Sequence, residues 1–342
     1  MNNKIILVTG AAGFIGMHTS LKLLERGESV VGLDNLNDYY DPALKIARLG
    51  VLSKYPNFKF VKGDILDRNL IFDLFLNENF GGVVHLAAQA GVRYSVTNPF
   101  TYGDCNLTGF LNILEACREN QVSHLVYASS SSVYGGNKTV PFSEKDSVDQ
   151  PLSLYAATKR ANELMSYCYS HLYNIPITGL RFFTVYGPWG RPDQSLFLFV
   201  SAILAGKPIN IFNNGLMSRD FTYIDDIVDG IIKVLDKPPT AVLDNVCERI
   251  HSSRLVNSPP QRIFNIGNGV PVALLEFILV LEKALKVTAI KNFLPMQAGD
   301  VIETYADTTA LEQWIGFKPR VMVEEGVENF IKWYQDYYAV RP

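Results

Sequence analysis

The stretch "LVTGAAGFIG" constrains this chain more than any other ten residues. An apolar run, "KIILV", leads into it, and a helical pattern from about Ile15 to Arg26 leaves it. Gly10, Gly13 and Gly16 let the backbone turn sharply between strand and helix and come close to a ligand above the helix. The free N–H groups and dipole of that helix end favour an anion such as a pyrophosphate. The spacing is G-x-x-G-x-x-G, one residue longer at the front than the G-x-G-x-x-G form. A second apolar run, "SVVGLD", ends in Asp34, 18 residues past Gly16. A carboxylate there binds the ribose 2′-OH of NAD and repels the 2′-phosphate of NADP. Asn35 follows in place of an arginine, which also favours NAD. Asp64, in "VKGDILD", ends a third run and reads either as an adenine contact or as a plain turn aspartate.

Further apolar runs continue the pattern: "FKFVKGD", "GVVHLAA", "HLVYASS" and "PITGLRF", with helical stretches such as "NLTGFLNILEACREN" between them. Near-continuous apolar strands suit a parallel sheet covered on both faces, and strand–helix alternation predicts a Rossmann-type, doubly wound α/β fold. After about residue 180 the texture changes. "TVYGPWGRPDQ" reads as loop, "DIVDGIIKVLDK" as helix and "RIFNIG" as strand. The expected organisation is a dinucleotide-binding domain over 1–180, rejoined by parts of 224–237 and 262–267, with a smaller C-terminal α/β substrate domain over 181–342. Pro238 to Gln261 reads as a long surface loop open to movement.

Bulk properties narrow the function. The 342 residues carry a net charge of -3, from 31 basic and 34 acidic side chains, so no basic nucleic-acid surface is expected. Cys105, Cys117, Cys168 and Cys247 lack C-x-x-C spacing and read as reduced thiols of a cytoplasmic protein. The first apolar run is too short for a signal peptide, and no run reaches the roughly 18 apolar residues of a membrane span. The five histidines (His18, His85, His124, His171, His251) fall far apart, and no metal site is expected.

The chemistry lies in "LYAATKRANE". Tyr155 and Lys159 stand four apart, on one face of a helix. "YASSSSVYG" places Ser129 to Ser132 at the C-terminal edge of the fifth strand, where open α/β sheets bind ligands. A serine hydroxyl there can bridge a sugar hydroxyl and the Tyr155 phenol. Tyrosine is a poor base at its ordinary pKa of about 10. The Lys159 ammonium and a cationic nicotinamide are expected to lower that value, so that Tyr155 takes a proton while hydride leaves the same carbon.

With these motifs in place the chain resembles the extended short-chain dehydrogenase/reductases of the NAD-dependent sugar epimerase/dehydratase family, over almost its whole length. Within that family "DNLNDYYDP", "AAQAGVRYS", "SSSSVYG", "RFFTVYGPWGRPD", "RDFTYIDDI" and "GDVIETYAD" are most similar to UDP-glucuronate 4-epimerases. The resemblance implies 4-epimerisation of a UDP-sugar, UDP-glucuronate to UDP-galacturonate, through a 4-keto intermediate with a tightly bound, regenerated NAD. It puts the bridging hydroxyl on Ser130, the base on Tyr155 and its partner on Lys159. It implies a cofactor pocket that also takes in Phe14, Ile15, Ile65, Leu86, Ala87 and Ala88. Family dehydratases carry acids at the two positions after the bridging hydroxyl, and decarboxylases carry a glutamate in this segment. Here the two positions are Ser131 and Ser132, which argues against both chemistries. Ser131, Ser132 and Thr184 are hydroxyl candidates for gripping the uronate, and Arg93 is either its charge partner or a surface arginine. Arg219 resembles the diphosphate clamp, Arg191 is a second candidate, and Asp300 resembles the UDP-ribose ligand. Many relatives have a basic residue three positions before that aspartate, whereas this chain has Gln297. Competing expectations are a 4-epimerase of neutral UDP-hexoses or N-acetylhexosamines, a UDP-glucuronate decarboxylase, and an inert NAD-binding protein on the same fold. A homodimer through helices around Asn106–Arg118 and Tyr155–His171 is expected by analogy.

Overall fold

The computed structural model describes residues 4–244, 256–297 and 300–340. Its first half alternates strand and helix: β1 (Ile5–Thr9), α1 (Phe14–Glu25), β2 (Ser29–Asp34), α2 (Pro42–Leu52), β3 (Phe58–Lys62), α3 (Arg68–Asn77) and β4 (Phe80–His85). Two single turns follow, α4 (Tyr94–Thr97) and α5 (Pro99–Tyr102). Then come α6 (Phe110–Glu119), β5 (Leu125–Ser130), the long α7 (Leu154–Tyr173) and β6 (Ile177–Phe182). The second half contains β7 (Thr184–Tyr186), α8 (Ser195–Leu204), β8 (Ile209–Ile211), β9 (Ser218–Tyr223) and α9 (Ile224–Leu235). It closes with β10 (Val242–Asp244), β11 (Val256–Ser258), β12 (Gln261–Ile266), β13 (Pro271–Ala273), α10 (Leu274–Leu285), β14 (Lys291–Phe293), α11 (Thr309–Ile315) and α12 (Val323–Tyr338).

Seven strands form one sheet in the order β12-β6-β5-β4-β1-β2-β3, every neighbour parallel. Successive residues of a strand point to opposite faces, and both faces are covered. Val8, Val30, Val84, Val126 and Leu180 face the core that includes α1 and α9. Leu7, Val31, Val83, Leu125 and Ile177 face the core that includes α3 and α6. Each such side chain stabilises by about 1.5–3 kcal/mol when fully buried. β12 joins this sheet although more than seventy residues separate it from β6, as the apolar run "RIFNIG" suggested.

Three expectations change in detail. Thr184–Tyr186, read as loop, is strand β7, parallel to β9, which in turn pairs antiparallel with β13. β10 and β11 form an antiparallel ladder inside the expected Pro238–Gln261 loop. Residues 245–255 of that loop, Cys247 and His251 included, lie outside the described residues. The helix expected from Asn106 begins instead as a π-helix over Gly103–Gly109 and becomes α-helical at Phe110.

Four bonds account for the widened turn. Asn106 exchanges hydrogen bonds with the backbone of Gln89 (2.8 and 3.0 Å) and donates to Thr158 Oγ1 (3.1 Å), while its own carbonyl accepts from Asn162 (2.7 Å). On α7, Met165 and Tyr169 pack against the sheet, whereas Leu164 is 53% exposed.

α7 is held down by a buried ion pair. Glu163 is fully buried and accepts from Arg181 Nε (2.8 Å) and Nη2 (2.9 Å), from Ser129 Oγ (2.7 Å) and from Arg160 Nη1 (3.2 Å). Arg181 also donates to the Tyr134 hydroxyl at 3.0 Å. One carboxylate thus joins α7, the tip of β5 and β6. Replacing Glu163 by glutamine leaves the buried guanidinium without its counter-charge. The expected cost is about 3–5 kcal/mol of folding stability, read as a fall in the urea midpoint.

Candidate active site

The C-terminal edge of the parallel sheet opens into a cavity of about 400 Å³. Its nucleotide end is built by the glycine turn. Gly10 has φ +72°, and a Cβ on it would sit 2.8 Å from the Ala87 nitrogen. A Cβ on Gly16 would sit 2.0 Å from the Gly10 carbonyl oxygen, so the helix could not close on the turn. Gly13, Phe14 and Ile15 line the same wall, with Leu86, Ala87 and Ala88 from the end of β4 opposite. Asp34 is nearly buried and accepts from the Ala12 N–H (3.1 Å) and the Leu36 N–H (2.9 Å). Those bonds fix its carboxylate at the cavity wall and leave acceptor capacity for a diol. Asn35 donates to Asp64 (2.8 Å), and Asp64 and Ile65 complete this end.

The residues fit NAD. Lys45, which feels the charge of Asp34, is spent on Asn37, donating to its carbonyl (2.9 Å) and its side-chain oxygen (2.6 Å). Burial lowers its pKa. A 2′-phosphate would therefore meet the Asp34 carboxylate, with Lys45 and Arg48 already engaged by protein acceptors.

At the other end lie Ser130, Ser131, Ser132, Tyr155, Lys159, Thr184 and Arg191. Ser153 caps α7 by accepting from the Ala156 N–H (3.1 Å), which sets Tyr155 in the first turn. Lys159, one turn on, is buried and donates to the Ala128 carbonyl at 2.8 Å. Ser130 Oγ donates to Ser132 Oγ (3.1 Å), accepts from the Ser132 N–H (3.2 Å) and lies near enough to the Tyr155 phenol to lower its pKa.

In the protein alone Tyr155 is not activated by Lys159. Burial raises its pKa, and the groups that oppose the rise are the Ser130 hydroxyl and the charge of Arg191. Lys159 is itself lowered to about 8 by desolvation. Arg191 keeps its charge despite burial because Asp193 holds it.

Arg93, Arg219 and Asp300 do not line this cavity. Arg93 donates to Asp300 at 2.8 Å and its guanidinium lies 4.7 Å from the Phe212 ring centre. Arg219 donates to the Ser218 and Ile302 carbonyls (2.8 and 3.1 Å) and feels the charges of both Asp300 and Arg93. The three form a separate charged cluster.

Several wall residues escaped sequence reasoning. Gln89 and Cys105 are placed by the π-helix and its bonds, and Cys105 is kept a neutral thiol, its pKa pushed up to about 11 by burial. Tyr39 and Lys45 come from "NLNDYYDPALK", whose residues carried no spacing signal. Arg48, fully buried, donates to the carbonyls of Ala12 (2.9 Å) and Trp189 (2.6 Å), tying the glycine turn to the loop that carries Arg191. The buried histidines take structural bonds. His85 pairs with Thr9 Oγ1 (2.8 Å) and His124 with Thr178 Oγ1 (2.9 Å), and burial keeps both neutral. Among the described residues no group of three or more His, Cys, Asp or Glu is placed to hold a metal, and no helix is long and apolar enough to cross a membrane.

This geometry has close counterparts. The family model described as "NAD dependent epimerase/dehydratase family" matches residues 6–247. A UDP-glucuronate 4-epimerase of Arabidopsis thaliana is 50% identical over 345 residues, spanning 99% of this chain and 77% of that protein. A probable UDP-glucuronate 4-epimerase of Rhizobium meliloti is 48% identical, spanning 97% of each. The crystal structure of a UDP-glucuronic acid 4-epimerase from Bacillus cereus, in complex with UDP-glucuronic acid and NAD, is 33% identical with a TM-score of 0.86, covering 98% of this chain and all of that one. A matched glycine turn, a Tyr–Lys helix and full-length relatives leave one assignment: this chain belongs to the NAD-dependent epimerase/dehydratase family.

Proposed function

We propose that this protein inverts C4 of a UDP-hexuronate, interconverting UDP-glucuronate and UDP-galacturonate. The observation that carries the reading is Arg191, a paired but open guanidinium set in the same cavity wall as Tyr155, Ser130 and Thr184. A neutral C6 group has little use for a half-buried cation; a carboxylate has, and charge-assisted hydrogen bonds are about twice as strong as neutral ones.

The residues divide the work as follows. Ser130 and the Tyr155 phenolate receive the C4 hydroxyl, and Tyr155 takes its proton. NAD held in this cavity would supply the hydride acceptor for C4 and the hydride donor for the opposite face of the sugar. Lys159 and Asp34 would hold its two riboses, and the glycine turn its pyrophosphate. Tyr155 then gives its proton back to O4. The Arg93, Arg219 and Asp300 cluster anchors the UDP while the keto sugar turns over. A 4-keto uronate is a β-keto acid. Its C5–C6 bond can break, sending the electron pair into the C4 carbonyl as an enolate, releasing CO2 and leaving C5 to take a proton from solvent. Arg191 with Ser131, Ser132 and Thr184 holds the carboxylate near the plane of the carbonyl, where that bond cannot overlap with the π system.

A cytoplasmic location fits the free thiols of Cys105, Cys117 and Cys168. A homodimer through α6 and α7 fits their exposed Leu111, Leu164 and Tyr167.

Proton NMR of the purified protein with UDP-glucuronate, first with no NAD added, is expected to show UDP-galacturonate. UDP-xylose signals would mean that the carboxylate is unprotected, and no turnover even with NAD would remove the uronate reading. Tyr155→Phe is expected to lower kcat by about 10²–10⁴ while bound NAD is retained. The base also titrates in a defined direction. Burial keeps Tyr155 a neutral phenol through neutral pH in the cofactor-free protein. Loading the cationic cofactor stabilises the phenolate, so its absorbance, taken as wild type minus Tyr155→Phe, should appear at lower pH in loaded than in stripped protein. Coincident titrations would count against Tyr155 as the base.

A further inference from the structure

Arg191 does not stand alone. Asp193 takes its side-on edge, accepting from Nε at 3.0 Å and from Nη2 at 2.8 Å. Among the described residues the Arg191 guanidinium has no other hydrogen-bond partner. A guanidinium has five N–H donors in a rigid fork. With the Nε–Nη2 edge occupied, the free donors are both hydrogens of Nη1 and one of Nη2, the end-on edge. Asp193 is absent from the cavity wall that Arg191 lines, so it braces the arginine from behind. Asp193 has a brace of its own: the Tyr39 hydroxyl donates to its Oδ2 at 3.0 Å. Tyr39 stays protonated at working pH, its pKa pushed up to about 12 by burial first and by Asp193 second. The Tyr39 ring packs on Tyr94 at 4.8 Å between centres. Gly91, at φ +104°, leaves room for the hydroxyl, since a Cβ there would lie 3.1 Å from it.

We infer that Asp193 and Tyr39 are specificity-determining positioning residues, which aim the end-on edge of Arg191 at the C6 carboxylate of the sugar. The inference rests on the UDP-hexuronate reading above. Unbraced, Arg191 would swing among rotamers or turn its fork onto whichever acceptor lies nearest. Braced, it offers two parallel N–H groups in one direction, a geometry that matches a carboxylate and gains little from a hydroxymethyl group. Asp193 also supplies a charge balance. It removes part of the field that Arg191 would otherwise direct at Tyr155. The Tyr39 hydrogen bond keeps the carboxylate of Asp193 from rotating and releasing one of its two arginine contacts.

The test compares NAD-loaded wild type, Asp193→Asn and Tyr39→Phe, all with the catalytic groups intact. Asparagine offers one acceptor where aspartate has two and turns an amide N–H toward the guanidinium, so the fork must rotate. Two constants are measured for each protein: kcat/KM for UDP-glucuronate, and the inhibition constant of UDP-glucose, which keeps the UDP and the ring but has a hydroxymethyl in place of the carboxylate. In Asp193→Asn, kcat/KM for the uronate is expected to fall by about 10-fold or more. Tyr39→Phe should lose about 5-fold, the worth of one hydrogen bond. The UDP-glucose constant should move less than about 2-fold in either, within the scatter of a surface change. A merely structural role would move both constants together, and that pattern overturns the inference, as does a uronate kcat/KM unchanged in both variants. Failure of the wild type to turn over UDP-glucuronate is a separate result. It removes the substrate reading and this inference with it.

Discussion

One buried carboxylate sets the geometry on which the site depends. Glu163 has no exposure and collects donors from three elements: Arg181 on β6, Ser129 at the tip of β5, and Arg160 on its own helix. Taking two charges out of water costs several kcal/mol per ion, and only full hydrogen bonding offsets it. Here both carboxylate oxygens accept two bonds each. Glu163 stands one turn from Lys159 and two turns from Tyr155, on the same face of α7. Pinning it to β5 and β6 therefore also fixes where Tyr155 and Lys159 meet the serines. A hydrophobic contact in the same place would stabilise without choosing a register. A bidentate pair with a third donor on the neighbouring serine chooses one.

The sheet was legible because parallel strands buried on both faces leave continuous apolar runs, and those runs were long. β1 to β6 lie where the runs lie, and β12 was found the same way. The turn at Gly10 was legible because glycine is the residue that tolerates φ +72° against the backbone of Ala87. The π-helix was not. Its apolar spacing over "NLTGFLNILEACREN" differs too little from that of an α-helix. What widens the turn is Asn106 reaching Gln89 and Thr158, contacts between residues 17 and 52 positions apart. Strands β7, β8, β13 and β14 have three residues each, too few for a periodicity to register.

Side-chain charges were readable and their directions were not. The sequence put Arg93 either at the uronate or on the surface, and made Arg191 a second candidate for the diphosphate. The structure sorts them by their aspartates. Asp300 draws Arg93 into the cluster with Arg219, and Asp193 holds Arg191 in the wall beside Thr184. One of those aspartates is 207 residues from its arginine and the other only two. The near pair was visible in "GRPD", but its meaning depends on Tyr39, which arrives from 154 positions away.

The same cavity that partly desolvates Tyr155 also disarms it. Burial favours the neutral phenol, and Lys159, the cation expected to counter this, is weakened by the same desolvation and tied to the Ala128 carbonyl. Ser130 and Arg191 oppose the shift without reversing it. The base therefore lacks the charge it needs until a further cation enters. A dinucleotide whose oxidised ring is positive brings one, and it brings it only in the state that can accept hydride. In a low-dielectric site a charge a few ångströms away is worth far more than in water. Desolvation thus couples two requirements that could otherwise drift apart: the tyrosine becomes a base when an oxidant is present to use the proton transfer. A more solvated tyrosine would ionise with less regard to the cofactor, and the coupling would weaken in proportion.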